Sequence, residues 1–320
     1  MVRVALRIAH GCMLLVGVSA LSFALLSLSP GNFFDQLRLD PQISPDTVSA
    51  LRAEFGMDRP WPVRYVRWIA SGLRGDFGYS VSYRCPVGLL LWPRVRNTLL
   101  LTSFATLLAW MVALPWGVIE ALHRGEWLER AGSVVTAMLL AIPELLLALL
   151  FLLFAARTGW LPSGGMFSPS AAGAGLLRVL ADFAAHLLLP MLVLALGAVP
   201  PLIRYIRSAM TSVLDSPFIE SAIGHGIPRS RILYKYALPA AANPLISLLG
   251  FSIGSLLSTS LLVEVALSWP GLGPLVLEAL LARDTYIVMA VVMLSSVFLV
   301  LGNLIADLLL YWSDPRIRAV

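Results

Sequence analysis

The residues best placed to do chemistry lie in one polar stretch between two apolar runs, from Phe218 to Pro239. It holds Glu220-Ser221-Ala222, then Gly226, then Arg229, Arg231 and Lys235, and ends in Tyr236-Ala237-Leu238-Pro239. Ser216 suits an N-cap, Pro217 the first helical position, and Glu220 the positive end of a helix. Gly224 and Gly226 should stop that helix, and Pro228 should restart one running into Pro239. The result is a short helix-turn-helix with a basic second arm. Such an element either docks a partner or rests its basic arm on anionic lipid.

Other chemistries leave fainter traces. A P-loop needs Gly-Lys-Ser/Thr, but the only lysine is Lys235, preceded by Tyr234, so this chain cannot hydrolyse ATP through that motif. Gly250-Phe251-Ser252-Ile253-Gly254 fits the nucleophile-elbow spacing. It lies inside an apolar helical run with no His or acid nearby, and Gly250-x-x-x-Gly254 reads as a close-packing helix face. His10, His123, His186 and His225 share no metal-ligand spacing. We therefore expect no catalytic residue, metal site or resident cofactor on this chain.

Isolated charges inside apolar runs are the remaining candidates. Glu144, after Pro143 in the third run, falls near mid-membrane by helical rise. Two roles are open to it: contact with a cationic group of a cargo, or an interhelical hydrogen bond. Asp307 and Arg204 near the ends of their runs read as a structural pair or helix-end anchors, and Glu120 as a solvated residue. Glu264 with Trp269-Pro270-Gly271-Leu272-Gly273 could shape an outer gate or form a turn with an aromatic interface anchor. Pro115, Pro143 and Pro190 can kink their helices.

These residues need a membrane scaffold. Of the 320 residues, 58% are hydrophobic and 13% charged, with a mean hydropathy of +0.84. Soluble domains carry about 25% charged residues. That balance excludes an ordinary soluble enzyme, a disordered tail and a nucleic-acid binder, despite a formal charge of +5. Six runs, 8–29, 97–121, 132–156, 186–206, 241–263 and 287–311, reach the ~20 residues that span a bilayer. The first is too long for a signal-peptide core and reads as a retained helix.

The short-loop bias of Arg and Lys places Arg3, Arg7, Arg124, Arg130, Arg204, Arg207, Arg229, Arg231, Lys235, Arg316 and Arg318 inside. Both termini then face the cytoplasm. The chain divides into residues 1–29 (N-terminus and first span), an extracytoplasmic loop 30–96, and a five-span core 97–320 with its cytoplasmic loop at 210–240. In the long loop, Asp46 to Phe55 should form an amphipathic helix. Pro62 should start another, with Tyr65, Trp68 and Ile69 on one face, and the whole should cap the bundle. Cys12 and Cys85 are too few for a disulfide framework.

The spacing Glu220-Ser221-Ala222, Gly226, Leu238-Pro239 resembles, without gaps, the cytoplasmic signature of ABC importer permeases. It departs from the usual pattern at Ser221 and Tyr236. Other stretches resemble the dipeptide/oligopeptide/nickel branch over essentially the whole chain. They are Leu28-Ser29-Pro30-Gly31, Phe55-Gly56-Met57-Asp58-Arg59-Pro60, Leu73-Arg74-Gly75-Asp76-Phe77-Gly78-Tyr79-Ser80, Arg96-Asn97-Thr98-Leu99, Pro270-Gly271-Leu272-Gly273, Ala282-Arg283-Asp284 and Asp314-Pro315-Arg316-Ile317-Arg318.

The resemblance implies an all-α membrane protein of six transmembrane helices, of the ABC type I importer permease kind, in a bacterial inner membrane. Glu220, Ala222 and Gly226 would lie in a coupling helix seated in an ATPase cleft, with Gly226 a turn that a Cβ would obstruct. The implied partners are a second, similar permease, two cytoplasmic ATP-binding subunits that carry ATP and Mg, an extracytoplasmic solute-binding protein and membrane lipid. The implied cargo is peptides first, then nickel chelates, sugars or other small solutes. An ATP-independent carrier and a membrane enzyme are the competing classes. A carrier would not need the coupling loop, so deleting residues 220–232 should leave its flux intact. An enzyme should carry polar residues converging in the spans, where the sequence has only isolated ones.

Overall fold

A computed structural model describes residues 2–28, 44, 46, 48–49, 59–171 and 173–313. Outside them lie Ser29-Pro30-Gly31, the terminal Asp314–Arg318 stretch, most of the helix expected from Asp46 to Phe55, and Phe55-Gly56-Met57-Asp58. The described chain is helical apart from one small hairpin. α1 (Val2–Leu28) and α2 (Trp61–Gly72) precede β1 (Tyr79–Ser80) and β2 (Cys85–Pro86). α3 (Val87–Leu122), α4 (Trp127–Ala141), α5 (Glu144–Thr158) and α6 (Leu176–Leu214) follow. After α7 (Pro217–Gly224), a turn at Arg229–Arg231 and a π-helical segment at Ile232–Ala237 lead into α8 (Leu238–Ala266). α9 (Leu272–Leu281) and α10 (Thr285–Ser313) complete it.

Among the described residues, five segments are long and apolar enough to cross a bilayer: Ala9–Leu28, Val87–Leu122, Leu176–Leu214, Arg229–Ser255 and Thr285–Tyr311. α4 with α5, bent by 89° at their junction, makes a sixth when the pair is counted as one span. The run 132–156 is therefore not one straight helix, as its hydropathy suggests. Pro143 lacks the N–H that would continue the ladder and pushes its predecessor out of the helical region. Ile142 accordingly sits at φ −91°, ψ 117°. Pro190, Pro200 and Pro201, by contrast, lie within an unbroken α6.

The loop expected to reach residue 96 ends earlier, because α3 begins at Val87. Val87, Leu91 and Val95 recur every four residues and are buried, which is one face of a helix. Arg94 and Arg96 had hidden that face from a hydropathy window.

The chain forms two compact units, residues 1–98 with 270–298, and residues 99–269 with 299–320. In the first, Phe23, Trp68 and Met289 form a small core flanked by Tyr65, Ile69 and Tyr286, so the expected face of α2 is the one it buries. The Tyr65 hydroxyl reaches Ser19 Oγ at 2.9 Å and donates to Val16 O. Trp68 Nε1 donates to Phe77 O.

The buried Asp284 carboxylate ties down the hairpin. Its Oδ2 accepts from Ser80 Oγ (2.7 Å), Ser82 Oγ (2.8 Å) and Ser82 N (3.2 Å). The Tyr83 hydroxyl donates to Glu278. Burial and that neighbouring carboxylate push the Tyr83 phenol up to about 12, so it stays a donor at any physiological pH. Asn97 Nδ2 donates to Pro270 O at 2.8 Å, and Leu272 N to Thr98 Oγ1 at 2.9 Å.

Among its described residues the second unit holds two apolar clusters. One is centred on Leu194, Val263 and Trp269, the other on Ile206, Met210 and Ala237. Trp269 is fully buried, 6.2 Å from the Phe183 ring. It is a core residue and not the interface anchor expected from its place after a span. Glu264 is equally buried, with Ser260 Oγ 3.5 Å from its carboxylate and Trp269 N donating to its backbone carbonyl. The backbone bond closes the turn that follows α8.

The Gly250/Gly254 face packs against α10. A Cβ on Gly250 would fall 2.3 Å from Ala306 Cβ, and one on Gly254 2.2 Å from Leu299 Cδ1. Ser252 of the apparent nucleophile elbow donates to Leu249 O and accepts from Trp110 Nε1, which is helix-packing chemistry. Gly250→Val should therefore lower stability by about 1–3 kcal/mol through overpacking. Gly17→Val on α1, where nothing lies within 4 Å, should cost less than that. Thermal unfolding midpoints of the two variants in one detergent measure the difference.

Candidate docking loop and the charged cluster behind it

The 217–239 segment folds as its residue types dictate, with one difference at the N-cap. Pro217 opens α7 and Ser216 holds the N-cap position with extended backbone. The Ser216 hydroxyl, however, turns back to Val213 O and caps nothing. At the other end, Ile227 N donates to Ala222 O (3.2 Å) and Gly226 N to Ile223 O (2.9 Å). This pair is the Schellman motif, with Gly226 at the left-handed position, φ +72°. No atom lies within 4 Å of a Cβ built there. Glycine is needed there for the backbone conformation, in which a Cβ would crowd the adjoining carbonyl oxygen of its own chain.

The two faces of α7 differ. Ile219 and Ala222 are buried in the cluster with Ile206, Met210, Ile232 and Ala237, and Ile227 and Leu238 pack against it. Phe218, Glu220, Ser221 and Ile223 face outward, with Ile223 60% exposed. Arg229, Arg231, Tyr234 and Lys235 are exposed on the second arm. Pro239 is exposed just inside α8. Glu220 provides charge near the α7 N-terminus without a side-chain cap. The arrangement is a rigidly capped helix seated on a core and offering two large apolar side chains and one carboxylate. His225, like His123 and His186, sets Nδ1 against the carbonyl four residues back.

Behind this loop lies a cluster that sequence reading missed. Glu120, expected to be solvated, is 1% exposed. It accepts from Trp116 Nε1 at 2.8 Å and from Arg207 Nη1 at 3.2 Å. The same Nη1 donates to Ser133 Oγ at 2.6 Å and lies 3.7 Å from Glu129. Arg207 thereby joins α3, α4 and α6. A Cβ on Gly132 would fall 2.1 Å from Glu120 Oε1, so that glycine makes room for the carboxylate. The available signal was a small residue in α4 opposite two span-end charges, invisible until the helices are placed. Arg124 pairs with Asp215 at 2.7 Å, both well exposed.

Glu144 does not sit in mid-helix. It occupies the first turn of α5, where the helix dipole favours a carboxylate. It packs on α6 so closely that a Cβ on Gly197 would fall 2.6 Å from its Oε1. Arg204 and Asp307 lie on α6 and α10, and Arg204 lines a cavity beside Arg207.

The comparisons with known proteins agree with this architecture. The family described as binding-protein-dependent transport system inner membrane component matches residues 113–319, and the chain belongs to it: a multi-pass inner-membrane permease of the ABC importer class. It is 35% identical over 307 residues to the oligopeptide transport system permease protein AppB of Bacillus subtilis (strain 168), covering 95% of each chain. It is 30% identical over 320 residues to the dipeptide transport system permease protein DppB of Alkalihalophilus pseudofirmus, again covering 95% of each. A chain of the MetNI methionine ABC transporter, solved in an inward-facing conformation, shares the fold. Its TM-score is 0.53 at 20% identity, over 68% of this chain and 95% of that one.

Removing the cation from the buried pair should be costly, since an uncompensated buried charge costs about 3–5 kcal/mol. Arg207→Leu should lower the unfolding midpoint in detergent, and the double variant Arg207→Leu/Glu120→Gln should recover part of the loss. A single and a double variant of equal stability would show that the pair carries no coupling.

Proposed function

We propose that this chain is the translocation subunit of an ATP-driven, binding-protein-dependent importer for peptides, and that the 217–239 loop is where ATP-binding subunits grip it. The observation that carries this reading is the α7 loop itself. A helix locked at its C-terminus by Gly226, seated on the α6 end through Ile219 and Ala222, can transmit a push as a rigid body. Its outward Phe218 and Ile223 have the apolar character of a buried interface core. Glu220 and Ser221 supply polar contacts at the rim, and Leu238-Pro239 fixes the return into the membrane.

In this reading ATP and Mg bind the partner subunits, a solute-binding protein delivers cargo on the other side, and a second permease completes the path. Both termini and the 217–239 loop face the cytoplasm, as the distribution of Arg and Lys implies. Differential affinity of the partners for two conformations drives alternating access. Peptide cargo is supported by the oligopeptide and dipeptide permeases to which the chain is similar. Glu144, at the break between α4 and α5, is the residue we place beside the cargo path.

Gly226→Val tests the joint, because a β-branched residue at positive φ is strongly disfavoured while no neighbour is displaced. Tagged wild type extracted in mild detergent should carry nucleotide-binding subunits with it, and Gly226→Val should lose most of them while remaining monodisperse. Recovery of the wild-type chain alone, under conditions that keep a known importer intact, would overturn the proposal. For cargo, Glu144→Gln should change the uptake of peptides with a free amino terminus more than that of N-acetylated peptides. An equal effect on both would remove Glu144 from the path.

A further inference from the structure

Beside the charged cluster the second unit contains a cavity of about 640 Å³, lined by Arg124, Arg204, Arg207, Tyr205, Ser208 and Thr211 among others. That volume lies within the range of small-molecule sites. The wall holds three guanidinium groups and three hydroxyls. The Arg124 and Arg207 contacts with Asp215, Glu120, Glu129 and Ser133 all use Nη1, which leaves donors on the other nitrogens of each planar fork. The Arg204 side chain is exposed and makes no hydrogen bond or ion pair with a described residue. Tyr205, next to it, is 62% exposed. The carboxylate on the wall is Glu129, already engaged by Gly125 N at 2.6 Å and by Arg207.

Depth along α6 adds a second argument. Its 39 residues make a rod of ~58 Å, about twice the ~30 Å hydrocarbon core. A core centred on α6 ends roughly at Arg204. The stretch from Arg204 to Thr211, toward the docking loop, then lies at headgroup level. Guanidinium forks and hydroxyls at that depth match the geometry of a phosphate group, and basic recesses between transmembrane helices suit anionic headgroups.

We propose that this recess is a binding site for a phosphate-bearing anion, with Arg204 as its principal ligand and Arg124, Arg207 and the Ser208 and Thr211 hydroxyls as further donors. The phosphate belongs either to a membrane lipid headgroup or to a soluble phosphate. Occupancy at the root of the docking loop would stiffen the α3–α4–α6 junction beside the end of α6 on which α7 rests.

The test uses the full chain in mild detergent, with native mass spectrometry counting bound lipid during titration with phosphatidylglycerol or with diacylglycerol, which lacks phosphate. Arg204→Gln is compared with Arg178→Gln, an exposed arginine at the far end of α6. We expect one phosphatidylglycerol per chain, no comparable diacylglycerol binding, about tenfold weaker binding in Arg204→Gln, and wild-type behaviour in Arg178→Gln.

A second arm measures the unfolding midpoint in inorganic phosphate against chloride at matched ionic strength. Phosphate that raises the midpoint of wild type but not of Arg204→Gln, and displaces phosphatidylglycerol, assigns the site to a soluble phosphate. Lipid binding untouched by phosphate assigns it to the headgroup. Equal lipid binding by wild type and both variants, or equal weakening in both variants, with no phosphate effect on any midpoint, overturns the proposal.

Discussion

Hydrocarbon offers the backbone no hydrogen-bonding partner, and the rest of this structure follows from that constraint. Each crossing segment must be helical, and wherever a helix stops its free carbonyls need local donors. Among the described residues the same device does this four times. Asp76 N, Ile227 N, Trp269 N and Asp284 N each reach back five residues, to Ser71, Ala222, Glu264 and Ala279, with a left-handed residue just before. Two of those left-handed residues are glycines, Gly75 and Gly226, and the other two are Ser268 and Arg283. Keeping non-glycine residues there costs conformational energy. At both, the cap also starts a buried structure: the Trp269 ring after Ser268, and the Asp284 carboxylate after Arg283.

Between the helix ends the helices approach through small residues, since lipid provides no hydrophobic drive for association. Gly250, Gly254 and Gly302 form a seam between α8 and α10, and Gly117 lies under Ile206. Gly132 extends the idea to polar chemistry by making room for the Glu120 carboxylate. A buried ion pair of this sort contributes little net stability, yet breaking it is expensive. Its consequence is positional: Arg207 holds α3 and α4 against the part of α6 that leads directly into the 217–239 loop.

The family-like stretches serve two different purposes. Leu73–Ser80, Asn97-Thr98, Pro270–Gly273 and Ala282–Asp284 are scattered in sequence but meet in one unit, through the hydrogen bonds of Asp284 with Ser80 and Ser82, Asn97 with Pro270, and Thr98 with Leu272. They are the fasteners of that unit. The Glu220–Pro239 stretch instead buries only Ala222, Ile232 and Ala237 in the core and leaves Glu220, Ser221, Ile223, Arg229, Arg231, Tyr234 and Lys235 outward.

Sequence alone determined the membrane class, the six apolar segments, the helix-turn-helix at Pro217–Pro239, the α2 face carrying Tyr65 and Trp68, and the packing role of Gly250 and Gly254. These are local or periodic properties, set by residue type, helical spacing and hydrocarbon thickness. Tertiary structure alone decided that Glu120 is buried, that Trp269 is core, that α4 and α5 part at Pro143 by 89°, that α3 starts at Val87, and that Arg204, Arg207 and Arg124 share one recess. Burial and pairing depend on which residues distant in sequence arrive opposite each other, and no spacing rule encodes that. A glutamate at a span end reads as solvated until a glycine from another helix is found to have left room for it.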